Sequence, residues 1–131
     1  MPAAESYPDD LRYHPEHDWA RVEGDEATLG VTWFAQDSLG ELVHYEAPQV
    51  GMTVSKDESY GEVESVKAVS DIVAPLSGEV LAVNDKVVAE PETVNDDPYG
   101  EGWLIRIRMS DPSELDVLLD AETYRAHVAN Q

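Results

Sequence analysis

The stretch Gly61-Glu62-Val63-Glu64-Ser65-Val66-Lys67-Ala68-Val69-Ser70-Asp71-Ile72-Val73-Ala74-Pro75-Leu76-Ser77-Gly78-Glu79-Val80 decides how the chain folds. It holds Lys67, which with Lys56 and Lys86 completes the lysines of the sequence, and no Gly, Pro or Asn stands beside it to mark a turn. Read as one continuous strand, Glu62 and Glu64 fall on one face and Asp71 on the other, and neither face is consistently apolar. Read as a hairpin with Val66-Lys67 at its tip, the residues sort. Ser65 then opposes Ala68, Glu64 opposes Val69, Val63 opposes Ser70, Glu62 opposes Asp71 and Gly61 opposes Ile72. One face carries Val63, Ser65, Ala68, Ser70 and Ile72, all small or apolar, while Glu62, Glu64 and Asp71 share the outer face. Lys67 stands at the apex. A Val-Lys tip lacks the Asn-Gly or Asp-Gly of primed turns, and Glu62 opposite Asp71 sets like charges together at roughly 0.2–1 kcal/mol. Local rules tend to be broken at functional sites, so Lys67 is a candidate functional residue.

Outward from this hairpin the chain reads as mostly β. Trp19 to Glu23 and Ala27 to Val31 are short β-type runs separated by Gly24-Asp25, which predicts an early hairpin. Thr32 can cap a short helix through about Leu39, with Gly40 at its C-terminal end. Further strands are expected over Glu41 to Glu46, around Met52-Thr53-Val54, over Gly78 to Val83, and over Trp103 to Met109, where Ile105-Arg106-Ile107-Arg108 alternates. Asn84 to Gly102, with Pro91, Asp97-Pro98 and Gly100, reads as helical turns and loop. Asp111-Pro112 opens a helical tail over about residues 111–131 that packs on the sheet. A single domain over 1–131 follows from the length, with no repeat or linker.

Composition narrows the function. The 28 acidic and 8 basic side chains give a formal net charge of −20, which repels nucleic acid and anionic membrane and leaves two readings, a solvated acidic surface suited to solubility or a salty cytoplasm, and steering towards basic partner proteins. Apolar residues make up 42% of the chain but form no run long enough to span a membrane. Met1 to Ser6 carries no export or transit signal, so a cytoplasmic location is expected. With no Cys, the chain has no disulfide, no Cys-type zinc site and no thiol nucleophile, and any sulfur chemistry must come from a cofactor. His14 and His17 have no second ligand pair nearby, so no metal site is expected, and His17 reads as support for the turn before Trp19.

Glu64-Ser65-Val66-Lys67-Ala68-Val69-Ser70-Asp71 resembles the lipoyl-attachment motif of the glycine cleavage system H-protein family, and Ala74 to Val80 continues the pattern. Tyr13-His14-Pro15-Glu16-His17-Asp18-Trp19, Ala35 to Gly40, Val94 to Trp103 and Asp111 to Leu115 resemble the same family, so the likeness runs along nearly the whole chain in order. Val66 and Ala68 flank the lysine where a biotin carrier has Met.

The resemblance implies a lipoyl/biotinyl-type flattened β-barrel sandwich, mainly β (α+β), with short flanking and C-terminal helices. It implies a carrier and not an enzyme, with lipoate covalently bound on Lys67. The arm would visit glycine decarboxylase, a tetrahydrofolate-dependent aminomethyltransferase and dihydrolipoyl dehydrogenase, after loading by a lipoylating enzyme; a monomer is expected. Glu64 and Asp71 would position the tip, and Glu16, Asp18 and Asp71 would meet the amine of the loaded arm, since carboxylates stabilise a cationic amine. Two departures touch that cleft: Asp18 stands where the family usually has Glu, and Trp33-Phe34 stands where the family usually has an acidic-aromatic or acidic-His pair, serving as core packing or as cleft floor. Two alternatives stay open, a lipoyl carrier of bacterial sulfur oxidation and an unlipoylated interaction module.

Overall fold

The structure, a computed structural model, describes residues 3–131. Its strands form two antiparallel sheets. The larger contains β1 (Arg12–His14), β2 (Asp18–Glu23), β3 (Glu26–Val31), β5 (Thr53–Val54), β8 (Gly78–Val83) and β9 (Ile105–Met109), in the order β1-β2-β3-β9-β8-β5. The smaller contains β4 (Leu42–Glu46), β6 (Ser59–Ser65) and β7 (Val69–Val73), in the order β4-β6-β7. The expected strands are present, several with shifted ends. The β1 strand was not foreseen in a run broken by Pro15. It forms because Tyr13 also exchanges backbone hydrogen bonds with Leu119, N to O in both directions at 2.8 Å, so the C-terminal segment supplies the second edge.

The main core fills the space between the sheets. Leu29, Leu42, Val63, Ile72, Leu76 and Ile107 are fully buried there. Each such side chain contributes about 1.5–3 kcal/mol of transfer free energy. In β9 the alternation holds as read: Ile105, Ile107 and Met109 are buried and Arg106 and Arg108 exposed. Gly61 and Gly78 keep the strands close. A Cβ on Gly61 would sit 2.5 Å from the Glu46 carbonyl oxygen, so only glycine lets β6 pair with β4 there.

A second, aromatic core lies on the other side of the larger sheet, built from Tyr7, Leu11, Tyr13, Trp19, Tyr99 and Tyr124. Tyr13 and Tyr124 stack with ring centroids 4.6 Å apart. Trp33 and Phe34 pack against this cluster while remaining partly exposed. The helices are short. Helix α1 (Trp33–Leu39) has Thr32 as N-cap, its hydroxyl accepting from the Ala35 N–H, and Gly40 at its end with φ 84°. Between β8 and β9 lie α2 (Asp85–Ala89) and α3 (Thr93–Asp96), ordered turns where sequence favoured mixed turns and loop. A 3-10 helix over Pro112–Val117, capped by Asp111, precedes α4 (Ala121–Ala129), capped by Asp120.

Candidate functional site

The register of the lysine hairpin agrees with the reading from pairing: Gly61 opposes Ile72, Glu62 Asp71, Val63 Ser70 and Glu64 Val69. Val63, Ser65 and Ile72 are buried, whereas Glu64 and Asp71 are exposed. What holds a Val-Lys tip without primed-turn residues is Ser65. Its backbone N–H donates to the Ala68 carbonyl at 2.8 Å, and its hydroxyl accepts from the Lys67 and Ala68 N–H groups at 3.3 and 3.1 Å. The side chain thus takes up donors that a two-residue loop would otherwise leave to water. Positive φ among the non-glycine described residues occurs only at His17 and Asp57, so Val66 and Lys67 adopt no primed turn.

Lys67 is exposed, and no described residue hydrogen-bonds or ion-pairs with its ammonium. The other two lysines are engaged: Lys56 lies 3.2 Å from Asp57 and Lys86 3.0 Å from Glu101. Around Lys67 the surface is apolar, with Val66 87% and Val69 60% exposed. Behind the tip lies α1; a Cβ on Gly40 would sit 3.6 Å from Lys67 Cε. Buried Asn95 anchors this end of α1 by donating to Gln36 Oε1 and the Gly40 carbonyl, each at 2.9 Å, while its own Oδ1 accepts from the Leu42 N–H. Sequence reading treated Asn95 only as loop; a lone Asn in a turn-rich run carries no signal for such contacts.

The other end of α1 reaches the acidic turn of Glu16-His17-Asp18. Thr32 N–H donates to the His17 carbonyl at 3.0 Å, and Asp18 is the β2 partner of Val31. His17 takes φ 75°, and its Nδ1 lies 2.8 Å from the Tyr124 hydroxyl, which also meets Thr32 Oγ1 at 2.8 Å. His17 is therefore a brace between α1, α4 and the turn, as expected. Burial holds its pKa below the usual imidazole range, with nearby His127 adding to the effect. His14 accepts the Glu16 N–H on Nδ1 at 3.0 Å, so Nε2 carries the proton and donates to Asp57 Oδ1 at 2.7 Å. That bond, with one from Lys56, holds the Asp57 carboxyl below its ordinary value.

Asp18 is 2% exposed, and its Oδ2 has no hydrogen-bond partner. Burial, and then the charge of Glu16, pushes its pKa well above the usual carboxylate range. Glu16 itself is exposed. Asp71 is exposed and lines a cavity of about 460 Å³ with Glu46, Glu62 and Tyr60, among others. Glu46, Glu62 and Asp71 form one cross-strand row. Glu16 thus lies close enough to Asp18 to act on its charge, and Glu64 and Asp71 stand on the two strands of the hairpin whose tip carries Lys67. Among the described residues no cluster of three or more His, Cys, Asp or Glu could hold a metal, and no helix is long and apolar enough to cross a membrane.

Two facing antiparallel sheets make a lipoyl-type sandwich, and an exposed lysine stands at the tip of one of its hairpins. The family described as Glycine cleavage H-protein matches residues 11–131, and the chain belongs to that family. The glycine cleavage system H protein of Symbiobacterium thermophilum is 53% identical over 119 residues, 91% of this chain and 93% of the relative. The probable glycine cleavage system H protein of Haloarcula marismortui is 50% identical over 121 residues, 92% of this chain and 95% of the relative. The crystal structure of a glycine cleavage system H protein from Mycobacterium marinum superposes with a TM-score of 0.86 at 40% identity, covering 93% of this chain and 98% of that one.

Proposed function

We propose that this chain is the lipoyl-bearing carrier of the glycine cleavage system, one domain over residues 1–131 with no turnover of its own, and that Lys67 is its attachment site. The observation that carries the reading is the Lys67 amine, exposed and unpaired at the tip of a hairpin whose base is packed into the core. When attached, lipoate supplies a dithiolane that accepts the one-carbon amine unit of glycine and the electrons released with it. The chain does the rest.

The hairpin holds Lys67 away from the core, where an enzyme's active site can close around it. The amine attacks an activated acyl group as the free base, and no carboxylate of the described residues is clamped on it. Val66 and Val69 offer apolar contact beside the lysine, and Glu64 and Asp71 offer charge. Asp18, with Glu16 beside it and Asp71 on the hairpin, supplies carboxylates for a cationic amine. The partners are then the lipoylating enzyme, the decarboxylase, the aminomethyltransferase and dihydrolipoyl dehydrogenase, met by a cytoplasmic monomer whose −20 charge steers it towards basic docking faces.

Intact mass of the protein from its native host tests the reading. The lipoyl increment is expected in full on Lys67 and absent from Lys67→Arg, which keeps the fold because the position is solvated but presents a guanidinium that stays protonated. Lipoate on Lys56 or Lys86 would overturn it.

A further inference from the structure

The face of the larger sheet turned away from the smaller one carries a cavity of about 350 Å³, walled by Arg21, Glu23, Glu26, Thr28, Trp103 and Arg106, among others. Its place follows from alternation. Ala20, Ala27, Leu29, Ile105 and Ile107 point into the main core, so Arg21, Thr28 and Arg106 beside them point outward. The strand register sorts the polar walls into two rows. Arg21 opposes Thr28 and Thr28 opposes Arg106, which makes one row across β2, β3 and β9. Glu23 opposes Glu26 in the next row, about 7 Å further along the strands. The Lys67 hairpin belongs to the other sheet and takes no part in either row.

The two rows do not neutralise each other. Among the described residues, Arg21 and Arg106 form no ion pair, in a chain where 28 acids outnumber 8 basic side chains. Aromatic neighbours hold them instead. Arg21 Cζ lies 5.0 Å from the centre of the Trp19 ring, and Nη2 donates to the Tyr99 carbonyl at 2.8 Å. The guanidinium thus turns back towards Trp19 and away from Glu23, which stands two residues on along the same face. Arg106 Cζ lies 5.8 Å from the Trp103 ring centre. Arg108, the register partner of Glu26, meets Glu79 at 3.6 Å. The cavity therefore has a cationic end fixed by indole rings and an anionic end at the β2–β3 turn.

We infer that this cavity binds the zwitterionic head of a free α-amino acid, its carboxylate against Arg21, Thr28 and Arg106 and its ammonium against Glu23 and Glu26. A simple anion is attracted by one row and repelled by the other, and a simple cation meets the reverse; a dipolar ligand satisfies both. A guanidinium pairs with a carboxylate through parallel N–H donors, the Thr28 hydroxyl adds another donor, and an ammonium offers three donors to the two glutamates. The volume falls within the roughly 300–1,000 Å³ of small-molecule clefts.

The test uses the full, unlipoylated chain at neutral pH and fixed ionic strength, titrated with L-alanine and followed by amide and indole NMR shifts. N-acetyl-L-alanine, which keeps only the carboxylate, and L-alaninamide, which keeps only the ammonium, serve as controls. Saturable shifts at Thr28, Arg106 and the Trp103 indole are expected with alanine, and each control should bind about tenfold more weakly or worse. Arg106→Gln, at an exposed position, and Glu26→Gln should each weaken alanine binding by a similar factor. Absence of a saturable shift with alanine overturns the proposal. So does a control that binds as tightly as alanine, which would make the cavity a site for a single charge, and so does unchanged affinity in Arg106→Gln. None of these outcomes touches the assignment of Lys67, which intact mass decides separately.

Discussion

At the scale of single residues, the free energies are held by groups the fold leaves short of partners. Asp18 is the clearest. Its folded pKa is raised well above the unfolded value by burial and by Glu16, so the folded state binds the proton more tightly than the unfolded state. Stability from this group is therefore greatest below the unfolded pKa of about 3.9 and falls as pH rises towards the folded pKa. Asp18→Asn removes that dependence. The difference in Tm between Asp18→Asn and wild type should be smallest near pH 4 and grow in favour of the variant towards neutrality, measured by calorimetry in steps of pH. A constant difference would show that Asp18 does not titrate out of line. The acid at this position was legible as chemistry, one carboxylate in a family motif, but its burial was not, because Glu16-His17-Asp18 reads as a polar turn. The positive φ of His17 turns the chain there and sends Asp18 inward.

At the scale of elements, the lysine hairpin was readable to the register, since a slip by one residue would turn Glu62, Glu64 and Asp71 into the core. How its tip closes was not, because the decisive group is a side chain replacing a backbone bond. Ser65→Ala removes the acceptor for two N–H groups and should cost about 1 kcal/mol in urea unfolding at unchanged m. It should also slow the proposed lipoylation of Lys67 several-fold, because a loosened tip populates the enzyme-competent shape less often. Equal lipoylation rates would mean that the ligating enzyme reshapes the tip itself. Helix α1 follows the same division: Thr32 and Gly40 announce its ends, but only the packing of Asn95 and Tyr124 makes it a bridge between the acidic turn and Lys67.

At the scale of the whole molecule, 28 acids on a chain of this size repel one another. Only four salt bridges from lysine or arginine join described residues. Screening should therefore stabilise the fold. Raising sodium chloride from about 0.01 to 0.15 M shortens the Debye length from about 30 to about 8 Å and should raise the Tm. A flat response in thermal melts would show that the acids are spaced too widely to matter. The features legible from the residues have local physical causes: strand alternation, helix caps, net charge, and the lysine motif, whose family likeness runs along nearly the whole chain. The assembled fold adds which polar groups lie buried and unsatisfied, the pairing of β1 with the C-terminal segment, and the cavity that Asp71 lines with Glu46 and Tyr60. Those outcomes depend on which distant segments meet, and desolvation, unlike alternation, is a property of the meeting and not of the residue.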